Sequence, residues 1–251
     1  MKLTVISHFY NEEYLLPWWL KFHREIFDHG IMINHASTDK SREIIADLCP
    51  SWRVVDTELE WFDPNGTDAE VNRYEREAPE WKVALNTTEF LCGYVSQAIF
   101  HARGKGLRPR AVALVDSLEE SKVAPSHHMP IHKQRNYGII SGHEAENRRR
   151  LIHCYPSAQY RAGRHVWAND SDDTDQVMIV ALLMSPMNEQ FIARKLQIQN
   201  RIVTHQPTPN GQGDHHYVSR DGLMNRWWDL REQSVFLPAC EEWRNLTRCY
   251  C

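Results

Sequence analysis

The sequence predicts an α/β fold: a Rossmann-like, mostly parallel central sheet flanked by helices, with an irregular C-terminal part. Three observations carry that prediction. Short apolar runs alternate with amphipathic stretches through the first 55 residues in a βαβαβ rhythm. A polar turn follows nearly every apolar run. The composition, 42% hydrophobic and 25% charged over 251 residues, is globular and long enough to bury a substantial core.

The elements follow in order. Leu3-Thr4-Val5-Ile6 reads as a buried strand. Asn11-Glu12-Glu13 then leads into an amphipathic helix from Tyr14 to Phe27, with Pro17 in the first turn where it is tolerated. Gly30 stops that helix, and Ile31-Met32-Ile33 is the second strand. Ala36-Ser37-Thr38-Asp39 supplies a turn and a cap for a helix over Ser41 to Ile45. Trp52-Arg53-Val54-Val55 is the third strand.

Residues 57–80 are polar and contain Pro64, Gly66 and Pro79, which predicts a loop and a helix from Asp68 to Glu77. A strand follows at Val83-Ala84-Leu85, a helix over Tyr94 to Ala102 and a strand over Arg110 to Val115. Residues 117–150, rich in His, Pro, Gly and charge, read as an irregular insertion. A helix from Glu189 to Gln199, the loop PTPNGQGDHH at 207–216 and a helix from Asp221 to Gln233 complete the chain. With no repeat and no linker, residues 1–203 read as one domain and 204–251 as a loop and helix packed on it.

Bulk properties exclude some classes. A net charge of −4 gives no electrostatic reason to expect nucleic acid. No run reaches 18 apolar residues, so no membrane span is expected, and charge arrives at Glu12 before any secretory apolar stretch. Six cysteines without a CxxC suit reduced thiols, hence a cytoplasmic location. Cys249-Tyr250-Cys251 reads as a frayed tail before a metal site.

Four segments share a further pattern: HFYNEE with the NHASTDKSREI that follows the second strand, WKVALNTTEFLCG at 81–93, YRAGRH at 160–165 and NEQFIARK at 188–195. In this order they resemble family 2-like glycosyltransferases of the GT-A fold, over residues 3–200. The resemblance implies that a nucleotide-sugar binds at the carboxyl ends of the strands and gives its sugar to a hydroxyl acceptor on a glycan or other saccharide, as in polysaccharide biosynthesis. The other reading is a non-catalytic relative that binds nucleotide-sugar or glycan. By the resemblance, Asn11, Glu12, Asn34, Asp39, Asn86, Thr88, Arg164 and His165 are the donor-binding residues.

The departures from the family pattern are chemical. Asn34 stands where the family has an Asp near the base, and Asn86 and Thr88 replace the two Asp of the DxD turn, leaving Glu89 as the charge. Mg²⁺ or Mn²⁺ prefers oxygen ligands and neutralises the departing diphosphate. Glu89 and His165 are the candidate ligands, and Glu89 is also a candidate catalytic residue. Three outcomes stay open: a weak metal site, a metal-free transferase using Arg73, Arg148, Arg150, Arg164 or Lys195, or lost catalysis.

Asp116, at a predicted strand end, is the candidate base for the acceptor hydroxyl, with Glu144 and Asp170 as alternatives. Ordinary structural roles compete throughout. Asn11 and Ser37-Thr38-Asp39 suit helix caps, Arg148-Arg149-Arg150 a solvated helix face, and the acids from Asp170 to Asp175 a solvated loop. The pair His215-His216, with His205, lies in a segment suited either to a lid or to a solvated loop.

Overall fold

A computed structural model of the chain describes residues 1–201 and 218–244, apart from 79, 103, 162 and 242. The histidines at 205, 215 and 216 and the Cys249-Cys251 tail lie outside the described residues.

Four strands form the parallel half of the sheet: β1 (Leu3–Phe9), β2 (His29–Asn34), β3 (Arg53–Asp56) and β4 (Trp81–Ala84), in spatial order β4-β1-β2-β3. Helices α1 (Leu16–His23), α2 (Ser41–Leu48) and α3 (Pro64–Glu77) make the crossovers. β1 is buried almost throughout because helices cover both faces, so its sequence is a continuous apolar run instead of an alternating one. α1 presses Leu16, Trp18, Trp19 and Leu20 into the core. α3 begins at Pro64, earlier than the sequence predicts, because Asp63 caps the N–H of Gly66 and Pro64 fits the first turn.

The second half contains β5 (Glu89–Gly93), α4 (Val95–His101), β6 (Gly106–Val115), β7 (Tyr137–Ile139), α5 (His143–Glu146) and β8 (Ile152–His153). β9 (Ser171–Met184), α6 (Glu189–Gln197), α7 (Arg220–Gln233) and β10 (Val235–Phe236) follow. β8 runs antiparallel to both β4 and β6, so β6 points the same way as β1. β9 is parallel to β6 over the longest ladder in the sheet, from Gly106↔Ser171 to Val115↔Met184. The long ladders are parallel, and β1, β2, β4, β6 and β9 all end on one edge. β5, antiparallel to β9, starts there.

Residues 117–150 are irregular as expected: two 3-10 turns, the three residues of β7 and the single turn of α5. The acidic stretch at 170–175 is not a solvated loop. Ser171 to Asp175 form the first part of β9, and their carboxylates meet Lys105, Arg108, Arg110 and Arg149 on or beside β6. Cross-strand opposite charges suit such positions, and the partner lies some 65 residues away in sequence. Residues from Val177 to Met184 are fully buried. One apolar cluster joins Leu3 and Trp19 to Trp227, Leu237 and Trp243, so α7 packs on the same core as the N-terminal half. No helix among the described residues is long and apolar enough to cross a membrane.

Candidate functional site

At the shared edge, the turns after β1 and β2 are laced together. Asn11 has φ +50°, a left-handed conformation that Asn tolerates better than most residues. Its side-chain oxygen accepts the N–H of Thr38 at 2.8 Å, and its own N–H donates to Ser37 Oγ at 3.0 Å. The N–H of Glu12 donates to Ser41 Oγ (2.8 Å), and Asp39 accepts the N–H groups of Glu13 (2.9 Å) and Ser41 (3.0 Å). Asn11 and the Ser-Thr-Asp turn therefore brace each other across the two turns; neither is the N-cap expected of it, since α1 and α2 begin after Leu15 and Lys40 with no side-chain cap bond. Asn34 is buried at the end of β2; its Nδ2 donates to Asp56 Oδ1 at 2.8 Å, and its Oδ1 accepts the N–H of Ser37 at 3.0 Å. That bond from Asn34, with Arg42 beside it, holds the Asp56 carboxyl below its ordinary range.

The third turn, after β4, is built around Glu89. Arg150 donates to both of its oxygens, at 2.8 and 2.6 Å, and the Asn86 N–H adds a third bond at 2.8 Å. Arg150 sits just before β8, which pairs with β4, and so enters the turn from its side. Its Nη1 meets His165 Nδ1 at 2.6 Å and the carbonyl of Arg164 at 3.4 Å. Arg164, itself at φ +60°, reaches Asp68 on α3 at 2.5 Å and Asn86 Oδ1 at 3.4 Å. Asp68 also accepts the Gly163 N–H at 2.9 Å; burial raises its carboxyl and Arg164 works against that rise. Thr88 gives its carbonyl to the Leu182 N–H at 2.8 Å. Asn86, Glu89, Arg164 and His165 thus form one network with Arg150 as its hub, while Thr88, bonded through its carbonyl to Leu182, stands outside it.

A cationic layer lies against these turns. α6 rests on the first turn, with Gln197 donating to the Asn11 carbonyl at 2.8 Å and Arg194 Nε donating to Glu12 at 2.6 Å. The neighbouring Lys195 has no ion pair or hydrogen bond among the described residues, and its ammonium stands 5.0 Å from the Phe191 ring. Burial pushes Lys195 down to about 7, with Arg194, Arg148 and Arg226 adding repulsion and Glu12 opposing them. Arg148 and Arg226 share Glu144 at 3.4 and 3.2 Å. Burial lowers Arg148 too, while Glu89 and Glu144 support its charge.

Several expectations change with these contacts. Arg148-Arg149-Arg150 is not a solvated face: Arg150 is 1% exposed, and Arg149 turns outward to Glu146 and Asp173. Arg73 stays outside the cluster, paired with Glu58 at 2.5 Å. Asp116 is fully buried at the end of β6, where Oδ1 accepts Arg135 Nε (3.0 Å), Oδ2 the Met187 N–H (2.9 Å) and its carbonyl Trp227 Nε1 (2.9 Å). Burial raises its carboxyl and Arg135 opposes the rise. Such a group anchors loops and presents no open oxygen to an acceptor. Asp170 lies beside Gly106 at the opposite edge, near Lys105. Of the three carboxylates considered as a base, only Glu144 belongs to the layer, and two arginines hold it.

One network has no counterpart in the sequence reading. Glu70 on α3 accepts from Thr57 Oγ1 (2.7 Å) and the Glu58 N–H (2.8 Å) and meets His8 Nε2 at 2.9 Å. Burial alone would raise Glu70, but these bonds bring it down to about 2. Beside it His35 is lowered to about 4 by burial and by Arg201, whose guanidinium lies 2.8 Å from its Nδ1. The available signal was position: His8 and His35 sit at the ends of two predicted strands.

The turn at 86–89 does not fit a divalent cation. Asn86 and Thr88 are neutral, Glu89 is held by Arg150, and no three His, Cys, Asp or Glu side chains group together among the described residues.

No protein-family model matches the sequence, and no curated protein is similar to it in sequence. Similar solved structures include a 1–349 fragment of S. aureus TarS, at 14% identity and TM-score 0.46, covering 91% of this chain and 72% of that one. The same fragment in complex with UDP matches at 18% identity and TM-score 0.37, over 50% of this chain and 38% of that one. Glucosyl-3-phosphoglycerate synthase from Mycobacterium tuberculosis, in complex with Mg²⁺ and UDP, matches at 12% identity and TM-score 0.34, over 44% and 43%. The chain thus matches less than half the length of both UDP-bound proteins. At these scores the likenesses carry no assignment of activity.

Proposed function

We propose that this chain is a glycosyltransferase, moving a sugar from a nucleotide-sugar donor to a hydroxyl of a saccharide acceptor in polysaccharide assembly. The observation that carries the reading is the placement of three fastened turns, at Asn11, Asn34 and Asn86, at the ends of the neighbouring strands β1, β2 and β4, with a layer of cations on the same carboxyl edge. Open parallel sheets take nucleotide ligands at that edge. On this reading Asn11, Asn34 and Asp39 shape the nucleoside side, while Asn86, Thr88, Arg164 and His165 stand at the phosphates. Glu89 positions Arg150. Glu12 positions Arg194.

In the transfer, the acceptor oxygen bonds to the anomeric carbon as the carbon–oxygen bond to the diphosphate breaks. The electron pair leaves with the diphosphate. With Asp116 sealed and Glu144 held by two arginines, the acceptor proton passes to the departing phosphate oxygen, directly or through water. Residues 117–150 supply acceptor contacts, as irregular loops on a rigid frame commonly do. The free thiols of Cys49, Cys92, Cys154 and Cys240 support a reducing, cytoplasmic setting.

The engaged state of Asp116 and Glu89 also favours a second reading, a non-catalytic binder of nucleotide-sugar. Thermal-shift titration with UDP, GDP, CMP and their sugars tests donor binding, and release of free nucleotide from the stabilising donor then separates enzyme from binder. Stabilisation by none of them would sink both readings.

A further inference from the structure

A nucleotide-sugar carries a negative charge on each of its two phosphates, and something must neutralise the diphosphate as it leaves. We infer that side-chain cations, with Lys195 and Arg148 in contact, hold the diphosphate here in place of a divalent metal ion. The inference rests on the donor-site reading above and deepens it.

The turn itself argues against a metal. A hard divalent cation in such a site draws on carboxylate oxygens, and positions 86 and 88 offer an amide and a hydroxyl. The remaining carboxylate, Glu89, already accepts three hydrogen bonds, from Arg150 and from the Asn86 N–H. Turning it toward a metal would leave a fully buried guanidinium without its counter-charge.

The charge balance points to an anion. The layer formed by α6, α7 and the segment around the 86–89 turn includes six cations: Arg148, Arg150, Arg164, Arg194, Lys195 and Arg226. Four carboxylates answer them: Glu89 on Arg150, Asp68 on Arg164, Glu12 on Arg194, and Glu144 shared by Arg148 and Arg226. Among these groups cations outnumber carboxylates, and Lys195, held down to about 7, gains its full charge only beside an anion. The surplus falls on Lys195, without a carboxylate among the described residues, and on the pair that shares Glu144.

Placement agrees with the count. Arg148 lies two residues from Arg150, which holds Glu89, and its charge acts on Lys195, so the surplus borders the 86–89 turn. Arginine and lysine aimed at a phosphate form charge-assisted bonds, and they stabilise developing charge much as a metal does.

Calorimetry with inorganic pyrophosphate and nucleoside diphosphates, in EDTA and in Mn²⁺, tests the inference on the unmodified protein. Binding in EDTA, little changed by Mn²⁺, is the expected result. Lys195→Met should weaken pyrophosphate by at least about tenfold, the scale of one charged hydrogen bond, and Lys195→Arg should retain it. Binding that requires Mn²⁺ overturns the inference while leaving the donor site standing. Unchanged binding by a folded Lys195→Met overturns the assignment of Lys195. If neither pyrophosphate nor any nucleoside diphosphate binds under either condition, the donor-site reading falls, and this inference with it.

Discussion

Arg150 and Glu89 form a two-bond ion pair, at 2.8 and 2.6 Å, in which each side chain is only 1% exposed. The pair joins the turn after β4 to the segment before β8, across 61 positions of sequence. Removing one member of such a pair leaves the other charged and desolvated, at a cost of about 3–5 kcal/mol. Glu89→Ala and Arg150→Ala should each lose stability on that scale, lowering the thermal midpoint by roughly 10 °C at the ~2–4 °C per kcal/mol expected of a chain this size. The double variant Glu89→Leu/Arg150→Met should recover most of the loss. Single variants that melt with the parent would show that the pair does not form in solution.

Asn34→Asp tests the second contact. Asn34 donates to Asp56 at 2.8 Å, and an aspartate there would set two carboxylates against each other. One of them would then titrate well above its ordinary range. A folded-state pKa raised above the unfolded value subtracts stability at neutral pH and returns it as pH falls through the raised value. The variant should be weaker than the parent by about 1–3 kcal/mol at pH 7.5, the size of an unmade buried hydrogen bond, with most of that deficit gone near pH 4. Urea titrations at both pH values decide it. An equal deficit at the two would mean that the side chains are apart.

What the sequence disclosed followed from how local the signal was. Leu3 to Ile6 and Ile31 to Ile33 are continuous apolar runs closed by polar turns, so their strands and the turns at Asn11 and Asn34 could be placed from neighbours alone. β9 could not. Its acidic first half is strand only because basic residues on or beside β6 lie across from it, a fact of register. The same limit applies to chemistry. Glu89 and Asp116 were read as open carboxylates at strand ends, which is where they are, but Arg150 and Arg135 close them from distant segments. Lys195 was visible in NEQFIARK; that it lacks a counter-charge was not.

Two buried histidines predict acid sensitivity. His23 accepts the Leu91 N–H at Nε2 (3.2 Å) and His132 lies 3.6 Å from Cys92 Sγ, both among the rings of Phe22 and Phe90. Burial lowers both, His132 to about 3, from an ordinary value of 6.5, with His132 adding to the lowering of His23 and Lys133 to that of His132. Below pH 6.5 the unfolded chain takes up protons that the folded chain refuses, so stability falls as pH drops from 6.5 toward 3. Each ring contributes about 1.4 kcal/mol per pH unit in that window. His132→Phe should flatten the dependence by about that amount, read from denaturant midpoints between pH 7 and 5. A slope unchanged by the substitution would place the titration elsewhere.

Lys195 supplies the corresponding prediction for binding. Its ammonium is held down to about 7 by burial, with Arg194 beside it on α6, Arg148 in the segment before β8 and Arg226 on α7; of the groups facing it, only Glu12 favours the charge. A bound diphosphate adds negative charge beside it and must raise that value. Pyrophosphate titrates in this range too, so the reading is the ratio of affinities between the parent and Lys195→Arg, which cannot titrate there. That ratio should be level below pH 7 and fall above it, approaching tenfold per pH unit until the pKa of the complex is reached. The parent should also take up more protons on binding near pH 8 than the variant, visible as a larger buffer dependence of the enthalpy. A ratio that stays flat from pH 6 to 9 would show that the ammonium of Lys195 does not meet the phosphates.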